Sequence, residues 1–149
     1  MQAVVFSGIQ ASGKSTFFKD RFADTHIRLN LDMLRTRHRE AVLLRACLEA
    51  RQAFVVDNTN LHAAERTGYI RQARGAGFSV VGYRFQVALT LALTRNEARA
   101  CRRPIPPHVL RGAARRWEPP AWAEGFDSLF DVWTCDGDFR VQEVTRAQP

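Results

Sequence analysis

Lysine is almost missing from this chain. Of 22 basic residues only Lys14 and Lys19 are lysine, and the rest are arginine. Arginine grips phosphate with a rigid two-pronged fork where lysine offers one compact charge. A net charge of +7 carried in this way therefore points to a polyanionic partner, although codon bias alone would produce the same balance. Cysteine is scarce too. Cys47, Cys101 and Cys135 are odd in number and have no CxxC spacing, which argues against a disulfide framework or a zinc site and for buried, reduced thiols. No run approaches the roughly 20 apolar residues needed to cross a bilayer. No basic segment with a cleavage site precedes the first apolar run, so a cytoplasmic protein with no membrane partner is expected. Repeats and low-complexity linkers are absent as well, and 149 residues at 46% hydrophobic suffice for a core, so residues 1–149 are expected to form one domain.

What is present is concentrated near the start. Gly8-Ile-Gln-Ala-Ser12-Gly13-Lys14-Ser15 follows the apolar run Ala3–Phe6 and leads into Thr16-Phe17-Phe18. This is GxxxxGKS between a predicted strand and a predicted helix, the spacing and context of a phosphate-binding loop. Glycines clear the way for backbone N–H groups to meet anionic oxygen at the positive end of the helix. Lys14 would reach the outer phosphates of ATP, and the Ser15 hydroxyl would ligate the accompanying Mg²⁺. Gly8, Ser12, Gly13 and Thr16 complete the expected nucleotide site.

Beyond the loop, strand and helix alternate as in a parallel sheet covered on both faces. Strands are expected at 3–7, 27–30, 53–56 and 78–85, and helices at 14–22, about 32–51, 61–74, 88–100 and 108–117. Residues 139–144 read as a further strand or edge segment. Gly75-Ala-Gly77 stops one helix, and Pro107 suits the first turn of another. The fold class is thus α/β, a three-layer P-loop NTPase or kinase fold with a parallel central sheet and an arginine-bearing helical lid at about 88–117.

Three further sites carry chemistry. Asp32 and Arg35 follow the second strand, where ligands of open parallel sheets gather. Asp32 can take the proton of an attacking hydroxyl and Arg35 can hold a phosphate of the acceptor; alternatively Asp32 only caps the helix that follows. Asp57-Asn58-Thr59-Asn60 ends the third strand. An acid there helps hold magnesium in many P-loop enzymes, and the three polar residues can bond substrate, though Asn60 also suits a helix cap. Arg95 and Arg99, four apart on a helix and extended by Arg102 and Arg103, can close positive charge over a triphosphate or simply form a solvated basic face.

The stretches Gly8–Thr16, Asn30–Arg35, Val55–Leu61 and Arg95–Arg99, with Ile105-Pro106 and Val109-Leu110, together resemble the kinase domain of polynucleotide 5′-hydroxyl kinases over about residues 3–117. The resemblance implies transfer of the γ-phosphoryl group of ATP to the 5′-hydroxyl of DNA or RNA. Lys14 and Ser15 would serve the donor phosphates and Mg²⁺, and Asp32 would be the general base. Arg35 would grip the phosphate adjoining the acceptor, and Arg99 would act at the transferring group with Arg95 in support. Asp136-Gly-Asp138 resembles the start of that family's DxDxT phosphatase motif, but Phe139-Arg140 follows, so a turn and no phosphatase are expected. The aromatic segment after Trp117 matches no known pattern. Two alternatives remain open: a P-loop kinase of a small-molecule hydroxyl such as a nucleoside, sugar or antibiotic, and an ATP-gated nucleic-acid-binding module.

Overall fold

The computed structural model describes residues 1–99, 103–135 and 137–148, leaving aside the side chain of Cys135. The readings of Cys101, Arg102 and Asp136 lie outside the described residues. The six strands are β1 (Gln2–Ser7), β2 (Ile27–Leu29), β3 (Phe54–Val56), β4 (Ser79–Phe85), β5 (Ser128–Cys135) and β6 (Asp138–Glu143), in the order β2-β3-β1-β4-β5-β6. The first five run parallel, and β6 returns antiparallel along β5. The helices among the described residues are α1 (Lys14–Arg21), α2 (Leu31–Leu34), α3 (Arg37–Ala50), α4 (Ala63–Gly75), α5 (Leu89–Glu97) and α6 (Pro107–Arg116), with a 3-10 turn at Trp122–Glu124. The expected α/β class is therefore found, as a mostly parallel six-stranded sheet.

Alternation along β1 explains the layers. Ala3 and Val5 face one way, into a core built with Leu44, Tyr69, Ile70 and Ala73 from α3 and α4. Val4 and Phe6 face the other way, against Phe17, Phe18 and Phe22 in and just after α1. Side chains of a strand alternate between the two faces of its sheet, and a strand covered on both needs apolar residues at every position. The aromatic rings of this second core pack at angles, with Phe6 and Phe85 centroids 4.9 Å apart. A third cluster joins Ile9 and Leu61 to Ala92, Leu110 and Ala113, so α5 and α6 are packed onto the start of the phosphate loop.

Several local expectations are corrected. The helix expected from Asp32 to Arg51 is two helices, because Arg35 takes φ 75° and Thr36 starts α3 by accepting from the Arg39 N–H. Asp32 caps neither. Asn30 is the cap of α2, its side chain accepting from the Met33 N–H at 3.0 Å. Asn60 caps no helix: α4 begins after His62, and Asn60 donates instead to the Phe6 carbonyl at 2.8 Å. The aromatic run after Trp117 conceals β5. Its central Asp131 forms a bidentate pair with Arg84 opposite, both contacts at 2.7 Å, so a charge that looks foreign to a strand is a cross-strand partner.

Candidate functional site

The carboxyl ends of β1, β2 and β3 open onto one cavity of about 740 Å³. At its floor the loop after β1 enters α1. Gly13 has φ 99°, a backbone region that L side chains avoid, and a Cβ there would stand 3.3 Å from Phe139 Cε1. Gly8 is required for a different reason: a Cβ would meet Phe85 Cβ at 2.8 Å, so β4 and not the ligand forbids a side chain. No side chain caps α1 and its first turn holds no acid, which leaves the N-terminal N–H groups and the positive helix end to an anion.

Lys14 is buried and bent back onto its own loop, donating to the carbonyls of Gly8 at 2.9 Å and Ile9 at 2.7 Å, and to Ser12 Oγ at 3.4 Å. Burial strips water from the ammonium and brings its pKa down to about 8; Asp57 and Asp32 pull it back up, and Arg99 pushes it further down. Those three charges are felt at Lys14 because all line the same cavity. Asp32 is exposed, in the first turn of α2.

Asp57 is 1% exposed at the end of β3, and its Oδ2 accepts from Arg28 Nε at 2.8 Å. Nη2 of the same guanidinium lies 2.8 Å from that Oδ2 and donates to Ser15 Oγ at 2.9 Å. Arg28, on β2, thus joins the two residues expected to hold a metal. Its sequence signal is slight, a single basic residue inside a short strand. Glu40 carries no clearer signal. Buried in the first turn of α3, it accepts from Asn58 Nδ2 at 2.9 Å and from the Tyr69 hydroxyl at 2.6 Å. Burial, and then that hydrogen bond, raise the Tyr69 pKa well above the ordinary phenol value.

The remaining candidates divide. Asn58 and Thr59 line the cavity. The Asn58 amide is already engaged at both ends, accepting from the Leu31 N–H and donating to Glu40, so it orients α2. Thr59 ties its carbonyl to the Gly8 N–H at 2.9 Å. Asn60 is 3% exposed and does not line the cavity; its carbonyl takes hydrogen bonds from Ser7 Oγ and from Arg66, a fully buried guanidinium paired with Glu124 at 2.7 Å. Arg35 is exposed and stands outside the cavity lining, at the break between α2 and α3. Arg95 and Arg99 both line the cavity, yet only Arg95 is helical, since α5 ends at Glu97. Arg95 is anchored to Thr134 Oγ1 of β5 and, at 3.5 Å, to the Ala11 carbonyl of the loop. Asn96 holds the backbone of Ile105 from both sides, at 2.6 and 2.9 Å, which returns the chain toward α6. Thr134, Gly137 and Phe139 supply a wall of the cavity from the β5–β6 hairpin.

The donor set fits a nucleotide and a hard divalent cation. An uncapped helix start offers N–H groups for phosphate. Ser15 Oγ and Asp57 Oδ2 share one cationic nitrogen, so these two oxygens already bracket a position for positive charge. Among the described residues no group of three or more His, Cys, Asp or Glu could hold a metal, and no helix is long and apolar enough to cross a membrane.

The fold is shared with known proteins. A gluconokinase from Sinorhizobium meliloti 1021 superposes with a TM-score of 0.61 at 19% identity, over 88% of this chain and 81% of that one. Kti12 from Chaetomium thermophilum, solved in complex with ADP-AlF3, gives 0.64 at 17% identity, over 88% of each chain. At such identities the likeness is one of fold. In sequence, the description of an AAA domain matches residues 34–120, a span that includes the Asp57–Asn60 turn, Arg95, Arg99 and α6 but begins after the phosphate loop. With that match covering more than half its length, and with a GxxxxGKS loop ahead of it, the chain belongs to the AAA domain family AAA_33.

Proposed function

We propose that this chain is an ATP- and Mg²⁺-dependent phosphotransferase that delivers the γ-phosphoryl group to the hydroxyl of a small molecule. The observation that carries the reading is the meeting of Lys14, Asp32, Asp57, Arg95 and Arg99 around one cavity at the carboxyl ends of parallel strands. Phosphoryl transfer asks little covalent chemistry of a protein; it asks for positioning and for charge around the migrating group. The start of α1 and Lys14 would hold the donor phosphates. Ser15 and Asp57 would hold Mg²⁺, which neutralises charge on the phosphates when bound. Asp32 would accept the proton of the acceptor hydroxyl, and Arg99, beside Lys14, would face the transferring group.

A small acceptor is favoured because the basic side chains lining the cavity, Lys14, Arg95 and Arg99, belong to the donor side, while Arg35 stands outside. The likeness in fold to a gluconokinase agrees with this. A second reading, transfer to the 5′-hydroxyl end of DNA or RNA, draws support from the net charge of +7 and from exposed arginines on α3 close to Asp32. One experiment separates them: γ-labelled ATP with a panel of sugars, nucleosides and 5′-hydroxyl oligonucleotides, using wild type and Arg35→Ala. Label on sugars or nucleosides, unaffected by Arg35→Ala, supports the small-molecule reading. Label confined to oligonucleotides, weakened by Arg35→Ala and by salt, moves the assignment to nucleic acid. No label on any acceptor refutes both.

A further inference from the structure

We infer that Arg28 is a resident cation in the metal seat, and that it makes metal binding conditional on the nucleotide. The inference rests on the phosphotransferase reading and deepens it. Asp57 is a carboxylate with 1% exposure at the end of an interior strand, and an ionised group so placed needs a partner. Arg28 supplies one, with Nε and Nη2 both 2.8 Å from Oδ2, and Nη2 reaching on to Ser15 Oγ at 2.9 Å. The guanidinium carbon lies 5.6 Å from the centroid of the Phe18 ring, which gives the side chain a face to rest on, and 18% of it is exposed, which leaves a way out.

One nitrogen of Arg28 therefore sits where a cation bound to Ser15 and Asp57 would have to sit. Both cannot occupy that position. A free divalent ion would gain the Ser15 and Asp57 oxygens while giving up water and displacing a paired guanidinium. An ion arriving on a nucleotide brings phosphate oxygens as further ligands, so its binding is strong enough to turn Arg28 out. Arg28 also keeps Asp57 satisfied when no nucleotide is bound. Without it, the nucleotide-free protein would hold a buried, unpaired carboxylate that recruits metal on its own.

The test titrates Mn²⁺, in place of Mg²⁺, into the whole protein and follows free Mn²⁺ by electron paramagnetic resonance, with and without ADP. Wild type is expected to bind Mn²⁺ measurably only with ADP. R28Q is expected to bind it without ADP, and to bind it with ADP about tenfold more tightly, the scale of one hydrogen bond to a charged group. R28K, which restores the charge without the fork, should lie between the two. D57N in the R28Q background should abolish the gain. Melting curves add a readout independent of metal counting: R28Q should melt below wild type when empty and gain more than wild type from Mn²⁺ with ADP. Equal or weaker Mn²⁺ affinity in R28Q and R28K overturns the inference and leaves Arg28 as a clamp that orients Asp57. Metal-free ADP binding monitors the underlying reading separately; if wild type binds no ADP, the phosphotransferase reading falls and this inference with it.

Discussion

Nucleotide binding should weaken as pH rises from 7 to 9, because Lys14 must be charged to hold phosphate and loses its proton within that range in the empty protein. Burial brings its pKa from the ordinary 10.5 down to about 8. About nine-tenths of the side chain is then protonated at pH 7 and about one-tenth at pH 9, so ADP affinity should fall about tenfold, on the order of 1.4 kcal/mol. At pH 8 binding should take up about half a proton, since phosphate restores the ammonium. Stability of the empty protein should move the other way. The unfolded chain keeps this proton up to about 10.5 while the folded chain sheds it near 8, so Lys14 contributes a rise in stability across that window. Calorimetry of metal-free ADP binding in two buffers of different ionisation enthalpy measures the uptake, and melts at the same pH values measure the opposing trend. A flat affinity between pH 7 and 9, or the same slope in Lys14→Met, would refute the account.

Asp32→Asn should leave ADP binding intact while lowering transfer to the acceptor by about 10²–10⁴, the range of general-base assistance; full activity in a labelled-ATP assay would remove Asp32 from the mechanism. Arg66→Met should lower stability by about 3–5 kcal/mol, because Arg66 is fully buried on Glu124, Ser7 and the Asn60 carbonyl, and a denaturant melt reads the loss directly. Gly82→Ala, out of reach of the nucleotide, should cost about 1–3 kcal/mol by overpacking, since its Cβ would stand 2.7 Å from Leu129 Cδ1 and 2.8 Å from Phe126 Cε1. An unchanged melt for Gly82→Ala would mean that Leu129 and Phe126 give way around β4 at little cost.

The sequence alone carries the local chemistry wherever one segment contains its own explanation. The glycine and lysine spacing of the phosphate loop, the apolar runs of β1, β3 and β4, the stop at Gly77 and the proline start of α6 each depend on neighbours a few residues away. These alone were enough for an α/β P-loop fold with its opening at the strand ends. Asn30 and Asp57 illustrate the limit. Both are polar residues at strand ends, but one caps a helix and the other holds a guanidinium from the adjacent strand. Which does which depends on how β2 and β3 align.

The tertiary structure alone decided the partnerships across the sheet. Arg28 meets Asp57 and Ser15 because β2 lies beside β3 and the Arg28 guanidinium rests on Phe18 of α1; Arg84 meets Asp131 because β5 adds in parallel to β4. Trp117 reaches Ser7 Oγ at 2.9 Å across 110 residues of sequence. Periodicity reports whether a side chain faces inward or outward, but the identity of the atom it meets there is a property of register and packing. For the same reason the sequence set out the phosphate loop of this protein, and the folded chain determined that Arg35 stands outside the cavity lining while Arg28 bridges Asp57 and Ser15.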